Sequence, residues 1–223
     1  MSITENLNKI KSTLPPDVTL VSVSKTKPNE AVFEAYQAGQ RVFGENKVQE
    51  MVSKQESLPR DIEWHFIGHL QSNKVKFIAP FVSLIHSVDS LKLLSVINNE
   101  GQKIQHVVPC LLQFHIAMEE TKFGLSLEEA VGLLDSEEYK AMKFVHVRGV
   151  MGMATFTDNS EIVCSEFKNL KNNFEFLKEK YFENDPSFSE ISMGMSDDYL
   201  LAIKQGSTMV RIGSTIFGTR NYV

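Results

Sequence analysis

The chain has 223 residues, of which 42% are hydrophobic and 23% charged, the composition of an ordinary globular protein. Its formal net charge is −5, so it lacks the basic excess that sequence-independent binding of nucleic acid requires. The two cysteines, Cys110 and Cys164, are too few for a disulfide framework or a zinc site, and their scarcity suits the reducing cytoplasm. We expect no signal peptide and no membrane span, because no apolar run is long enough for either.

Helical and strand patterns alternate along the first half of the chain. A helix is predicted over about residues 3–14, before the first strand. Four short apolar runs follow, at residues 18–25, 42–46, 64–70 and 84–89. Because they are apolar throughout rather than alternating, they indicate strands buried on both faces, as in a parallel sheet. Residues 29–38 place their apolar side chains on one face and are followed by Gly39, which predicts a helix.

The second half repeats this alternation. Four further apolar runs lie at residues 107–114, 145–153, 191–195 and 209–218. A loop followed by a helix is expected over residues 121–135. A long helix is predicted from Val163 to Tyr181, where apolar residues recur at steps of three and four, and Asp158 with Glu161 resembles a capping box at its start. Residues 196–206 predict one more helix, with Ser196 as its N-cap.

Eight alternations of strand and helix favour a single α/β domain over residues 1–223. The count fits a (β/α)8 TIM barrel with an extra N-terminal helix. An open, doubly wound sheet could hold the same elements and is the alternative. In a barrel, functional residues lie where the strands end and the following loops begin.

Lys25 stands at the end of the first apolar run. Desolvation at such a position lowers the pKa of an amine and prepares it to form a Schiff base. A solvated lysine that leaves a strand is the alternative interpretation.

Two features indicate a phosphate site, one in the loop after the seventh predicted strand and one in the loop after the eighth. Ser196 opens a predicted helix whose N–H groups could face an anion, although Asp197 and Asp198 already complement the helix dipole. Gly213 and Ser214 follow the last predicted strand, where successive N–H groups can form an anion nest. Barrels often hold phosphate in these two loops, so the features support each other. A well-capped helix without a ligand is the alternative.

His65 and His69 are four residues apart in a predicted strand, which would place them on one face. A metal site would need a third ligand, and no further candidate ligand stands at a spacing typical of metal sites. We therefore favour packed or hydrogen-bonded histidines over metal ligands.

Six sequence blocks carry a family resemblance. They are VSVSKTKP, FGENKVQE, WHFIGHLQSNK, IHSVDS, RGVMGMATF and SMGMSDDYLLAIKQGSTMVRIGSTIFGTRNY. In these blocks, which together extend over residues 18–222, the chain closely resembles the pyridoxal phosphate homeostasis proteins, also called the YggS/PROSC group. The resemblance implies a fold type III barrel, like the N-terminal domain of alanine racemase, that binds pyridoxal 5′-phosphate (PLP).

The resemblance also implies how the ring of PLP is held. Lys25 matches the lysine that carries the cofactor as a Schiff base. Arg211 matches the residue that faces the pyridine nitrogen, and Asn46 matches a residue near the cofactor. The competing interpretation of Arg211 is a structural residue turned away from the pocket.

The phosphate of PLP is assigned to the last two loops by the same resemblance. Ser196 matches a phosphate contact, and Gly213 with Ser214 matches the phosphate cup. Ser214 stands where many relatives have threonine, and it keeps the hydroxyl group.

The expected function is a non-catalytic, monomeric PLP carrier in the cytoplasm that buffers the reactive aldehyde and passes it to apo-enzymes. Neither nucleic acid nor membrane is an expected partner. An amino-acid racemase is the alternative, but a racemase of this fold takes a tyrosine base from an additional β-domain, and only five residues follow Gly218. A cofactor-free Schiff-base aldolase would share the barrel and Lys25 but would leave Arg211 and the phosphate cup unexplained.

Overall fold

The computed structural model describes residues 2–118 and 123–218, and the strands in these ranges form a closed barrel of eight. In chain order they are β1 (Thr19–Val23), β2 (Val42–Glu45), β3 (Glu63–Phe66), β4 (Leu84–Val88), β5 (Val108–Phe114), β6 (Val145–Gly152), β7 (Glu190–Ser192) and β8 (Met209–Ile212). Every neighbouring pair is parallel, and β1 pairs with both β2 and β8. The predicted α/β barrel is confirmed, and the open doubly wound alternative is wrong. That residues 1–223 form one domain stays a prediction.

Helices surround the barrel. They are α1 (Ile3–Lys11), α2 (Asn29–Gln37), α3 (Val48–Ser57), α4 (Val75–Ile78), α5 (Leu91–Ile104), α6 (Leu127–Asp135), α7 (Glu137–Lys140), α8 (Ser160–Tyr181), α9 (Tyr199–Lys204) and α10 (Ser214–Phe217), with a 3₁₀ turn at Ser72–Lys74. The predicted N-terminal helix is α1, which starts with a capping box between Ser2 and Glu5. Within the described ranges, no helix combines the length and apolar character needed to cross a membrane.

Several predicted element ends are wrong. The last run, 209–218, is a strand only as far as Ile212, and its remainder forms the short helix α10. Apolar composition predicts burial, and it does not distinguish a strand from a short buried helix. Ser196 lies in a turn, and the N-cap of α9 is Asp198, two residues later than expected. The N-cap of α8 is Asn159, whose side-chain oxygen accepts hydrogen bonds from two backbone N–H groups, and Asp158 is not the cap.

The hydrophobic core has two layers because side chains alternate along each strand. Phe43 and Trp64 belong to the larger layer, between the strands and the helices. A smaller cluster has its own members, Val21, Leu84, Leu111, Met151 and Met209. By alternation this second cluster faces inward and fills the barrel, so ligands are restricted to its mouth.

Gly149 of β6 pairs with Glu190 of β7, and its φ of +151° is one that other residues rarely adopt. A Cβ atom there would clash with the carbonyl oxygen of Glu190. We expect Gly149→Ala to lower the free energy of unfolding by about 2 kcal/mol or more. Gly132→Ala is the matched control, since Gly132 is an exposed glycine in α6 with nothing within 4 Å of its Cβ position.

The Gly132→Ala control should raise the free energy of unfolding by about 0.5–1 kcal/mol, because alanine loses less backbone entropy in a helix. Urea unfolding of both variants measures the two effects. Equal effects of the two substitutions would contradict the close approach of β6 and β7.

Candidate functional site

A cavity of about 480 Å³ opens at the carboxyl end of the barrel. Its lining includes all six residues that the sequence singled out, namely Lys25, Asn46, Ser196, Arg211, Gly213 and Ser214. They come from β1, β2, β7 and β8 or from the loops that directly follow these strands. The fold therefore brings the six together, while their role in binding stays a prediction.

One wall of the cavity is rich in hydrogen-bond donors. The Ser196 Oγ atom accepts a hydrogen bond from the Gly213 N–H at 3.4 Å. Ser214 is the first residue of α10, and the N–H groups of a first helical turn have no acceptor within the helix. A Cβ on Gly213 would lie 3.0 Å from the Val23 carbonyl oxygen, so glycine allows β1 and β8 to end side by side. Hydroxyl and N–H donors from the two loops that follow β7 and β8 suit an anion such as phosphate, and we call these two loops together the donor-lined turn.

Arg211 projects from β8 into the barrel interior and lines the cavity, although it is buried. Its guanidinium donates to Ser192 O at 2.8 Å, to Ser192 Oγ at 2.6 Å and to Gly152 O at 3.0 Å. A guanidinium has five N–H donors, so two are left without an acceptor among the described residues. Burial lowers the pKa of Arg211 to about 10, and the Asp198 carboxylate opposes this change, so the group is charged at neutral pH.

Asn46 follows β2 and supplies an acceptor without a partner. Its Oδ1 atom is buried and has no hydrogen-bond donor within the described part of the chain. A buried acceptor left unpaired is costly unless a ligand or water satisfies it. The unsatisfied donors on Arg211 fit a polar ligand in this cavity, and Asn46 lines the same cavity.

Lys25 lies two residues beyond β1, half-buried at the cavity. The next residue, Thr26, has a φ of 65°, which is strained for a β-branched side chain. Lys27 also lines the cavity, but its ammonium donates to the carbonyl oxygens of Phe217 and Gly218, each at 3.0 Å. The strained turn thus presents Lys25 to the cavity, while Lys27 is tied to the end of α10.

A buried ion-pair cluster supports this turn from outside the barrel. The Lys54 Nζ atom of α3 lies 2.7 Å from Glu45 Oε1, 2.8 Å from Glu50 Oε1 and 2.8 Å from Ser24 O. The Ser24 hydroxyl also donates to Glu45 Oε1, at 2.6 Å. Burial raises the pKa of Glu45, and the Lys54 ammonium opposes the rise. We call these four residues the Lys54 cluster.

The Lys54 cluster holds the backbone on both sides of Lys25. Lys54 binds the carbonyl group of Ser24, and Glu50 accepts from the N–H of Thr26 at 2.6 Å. Sequence analysis missed this cluster, although the spacing of Glu50 and Lys54 by four residues on one helix was a usable signal.

The two histidines of the predicted strand do not form one site. β3 ends at Phe66, so alternation does not extend to His69. His65 is buried and hydrogen-bonded to His86, whereas His69 stacks on Phe123 with ring centroids 4.8 Å apart. Over the described ranges, no three His, Cys, Asp or Glu side chains are grouped as metal ligands.

Aromatic side chains surround the mouth, and sequence analysis did not single them out. Phe123 is 60% exposed and Phe156 is 86% exposed, and both line the cavity. The Phe123 carbonyl accepts from Gln113 Nε2 at 2.8 Å. The backbone of Leu125 also hydrogen-bonds to the end of β5. Its N–H donates to Gln113 O at 2.8 Å, and its carbonyl oxygen accepts from the backbone N–H of His115 at 3.1 Å.

Comparison with known proteins first shows the broad class of protein to which this chain belongs. The family described as "Alanine racemase, N-terminal domain" matches residues 1–221. Alanine racemase of Clostridium difficile 630 shares the fold, with a TM-score of 0.73 at 15% identity over 98% of this chain and 57% of that chain. This low identity is evidence for the fold alone.

Closer relatives carry a more specific name. The pyridoxal phosphate homeostasis protein of Haemophilus influenzae is 39% identical, over 100% of this chain and 98% of that protein. The one of Escherichia coli K12 is 38% identical, over 93% of this chain and 88% of that protein. The chain therefore belongs to the pyridoxal phosphate homeostasis protein family, as the sequence blocks predicted.

Solved structures of PipY from Synechococcus elongatus agree with this assignment. The structure without PLP has a TM-score of 0.89 at 34% identity, over 97% of this chain and 100% of that chain. A second PipY structure, with PLP bound, has a TM-score of 0.85 at the same identity.

We expect Lys54→Met to lower the free energy of unfolding by about 3–5 kcal/mol, because it leaves the buried Glu45 carboxylate without its cation. The side chains of Lys54 and Glu45 are 4% and 0% exposed. Adding Glu45→Gln should recover part of the loss by removing that charge. Denaturant unfolding of the two single variants and the double variant measures the coupling.

Lys103→Met is the matched control for this cycle. Lys103 makes an ion pair of the same length with Glu100, 2.7 Å, but is 67% exposed. Its loss should change stability by at most about 1 kcal/mol. A similar loss at both lysines would contradict a special role for the Lys54 cluster.

Proposed function

We propose that this protein binds PLP reversibly in the cytoplasm as a monomer, holds it as a Schiff base on Lys25 without substantial catalysis, and passes it to apo-enzymes. The names of the relatives and the PLP-bound structure of PipY support the choice of cofactor. The observation that carries the proposal is one cavity that unites an amine, a buried guanidinium and a donor-lined turn.

The anchor for the phosphate is the turn between the ends of β7 and β8. The Ser196 hydroxyl and the N–H groups of Gly213 and Ser214 would bind the phosphate oxygens. Hydrogen bonds to an ionised acceptor are roughly twice as strong as neutral ones, so this turn would supply much of the affinity.

Lys25 would provide the covalent link. When bound, PLP supplies an aldehyde that reacts reversibly with a primary amine. Lys25 lies at the cavity on a backbone fixed at Ser24 and Thr26, so its amine is placed before the ligand arrives. The other lysine of this loop, Lys27, donates to the carbonyl oxygens of Phe217 and Gly218.

Arg211 would limit the chemistry. A guanidinium donates hydrogen bonds and cannot accept them, so a ring nitrogen facing it must use its lone pair and carry no proton. A carboxylate in this position would instead hold a proton on the ring and make it a better electron sink. Arg211 therefore favours storage of the cofactor over turnover of amino acids.

We expect borohydride treatment of the PLP-loaded protein to fix the label on Lys25, as shown by peptide mass mapping. Lys27→Ala should be labelled like the wild type and serves as the control. Lys25→Ala should lose the covalent label while still binding PLP through the phosphate turn. A label mapped to another lysine in the wild type would overturn the assignment.

The same preparation tests the absence of catalysis. A panel of amino acids is incubated with the loaded protein and separated by chiral chromatography. Racemisation or transamination at ordinary enzyme rates, about 1–10³ s⁻¹, would contradict the carrier function.

We expect the Kd for pyridoxal, which lacks the phosphate, to exceed the Kd for PLP at least about tenfold, the effect of one lost hydrogen bond to a charged group. Ser196→Ala should weaken binding of PLP and leave binding of pyridoxal unchanged. Titration calorimetry with both ligands measures the four constants. Equal affinities of the wild type for the two ligands would show that the turn does not bind phosphate.

A further inference from the structure

A chain of polar side chains crosses the barrel interior behind Arg211. The Ser192 Oγ atom of β7 is 2.6 Å from the Arg211 guanidinium and 2.9 Å from His86 Nδ1 of β4. His86 Nε2 is in turn 3.0 Å from His65 Nδ1 of β3. All four side chains are buried. The chain therefore joins strands on opposite sides of the barrel, and we call it the interior chain.

The need of each buried group for a partner assigns a direction to every hydrogen bond in the interior chain. A guanidinium only donates, so Ser192 Oγ accepts from Arg211, and among the described residues His86 Nδ1 is the acceptor within reach of the Ser192 hydroxyl hydrogen. His86 must then carry its proton on Nε2, from which it donates to His65 Nδ1. His65 consequently carries its own proton on Nε2 as well. Both rings are thus assigned as neutral Nε2–H tautomers.

The surroundings keep the two rings neutral. Burial lowers the pKa of His65 to about 3, and the Arg148 charge adds to this effect. Burial also holds the pKa of His86 well below its usual value, assisted by the charge of Arg211. A neutral His86 ring can accept a hydrogen bond from Ser192 at Nδ1 and donate one to His65 from Nε2, as the distances require.

We propose that Ser192, His86 and His65 are positioning residues that hold the Arg211 guanidinium so that its two remaining N–H groups face the cavity. This inference rests on the proposed function in one respect, that Arg211 faces the ring nitrogen of PLP. Ser192 binds one end of the guanidinium through both its carbonyl and its hydroxyl, and His86 orients that hydroxyl. A long arginine side chain otherwise has many rotamers, so fixed acceptors are what give it one direction.

The first test needs no cofactor. Long-range ¹H–¹⁵N correlation spectra of the labelled full chain report which nitrogen of each imidazole carries the proton. We expect neutral Nε2–H tautomers for both His65 and His86. A protonated ring, or a proton on Nδ1 of His86, would overturn the directed chain.

The second test compares two variants at Ser192. Ser192→Ala removes the hydroxyl, whereas Ser192→Thr keeps it and is the conservative control. With ring-¹⁵N-labelled PLP bound at neutral pH, the threonine variant should keep the wild-type ring-nitrogen shift and the wild-type tautomer of His86. The alanine variant should move the ring nitrogen toward its protonated shift, mix the tautomers of His86 and weaken PLP binding about tenfold, the effect of a lost hydrogen bond to a charged group.

A purely structural role would give a different result. In that case Ser192→Ala would lower thermal stability and leave the ring-nitrogen shift unchanged, which would overturn the proposal. Failure of the wild type to bind labelled PLP would instead contradict the proposed function and, with it, the link to the ring nitrogen. The tautomers measured without cofactor would still decide whether the interior chain exists as assigned.

Discussion

The pairing of β1 with β8 is the constraint on which the site depends. It aligns Val21 with Arg211, two residues from opposite ends of the chain. Lys25 follows β1 and Gly213 follows β8, so closing the sheet is what brings the amine beside the donor-lined turn. Parallel strands end at the same edge, and β2 and β7 therefore add an amide and a hydroxyl to the same mouth. In an open sheet, the amine and the guanidinium would lie on edges far apart.

Two buried cations near the cavity have different kinds of hydrogen-bond acceptor. Lys54, outside the barrel, is paired with the carboxylates of Glu45 and Glu50, and these ion pairs fix the loop that carries Lys25. Arg211, inside the barrel, donates to carbonyl and hydroxyl oxygens that carry no formal charge. Because its charge is not cancelled by a directly bound carboxylate, the interior favours a ligand that brings negative charge. The protein thus separates a cation that fixes the loop from a cation that faces the ligand.

Local sequence patterns predicted the barrel well, since continuous apolar runs and helical spacing are properties of neighbouring residues. The six candidate site residues were found because they follow predicted strands and match family blocks. The interior chain was not found, because its His86–Ser192 contact joins residues 106 apart and depends on closure of the sheet. The end of β8 was misplaced for a related reason, since burial of Ile216 and Phe217 is set by packing rather than by a local pattern.

The backbone ties at Phe123 have a consequence for the speed of exchange at the mouth. Among the residues that the structure describes, three hydrogen bonds attach Phe123 and Leu125 to the end of β5. At about 1 kcal/mol each, moving this segment away costs about 3 kcal/mol, so about one molecule in a hundred has it displaced at any moment. A ligand that must enter on this side would associate about a hundredfold more slowly than it would if the segment were already displaced.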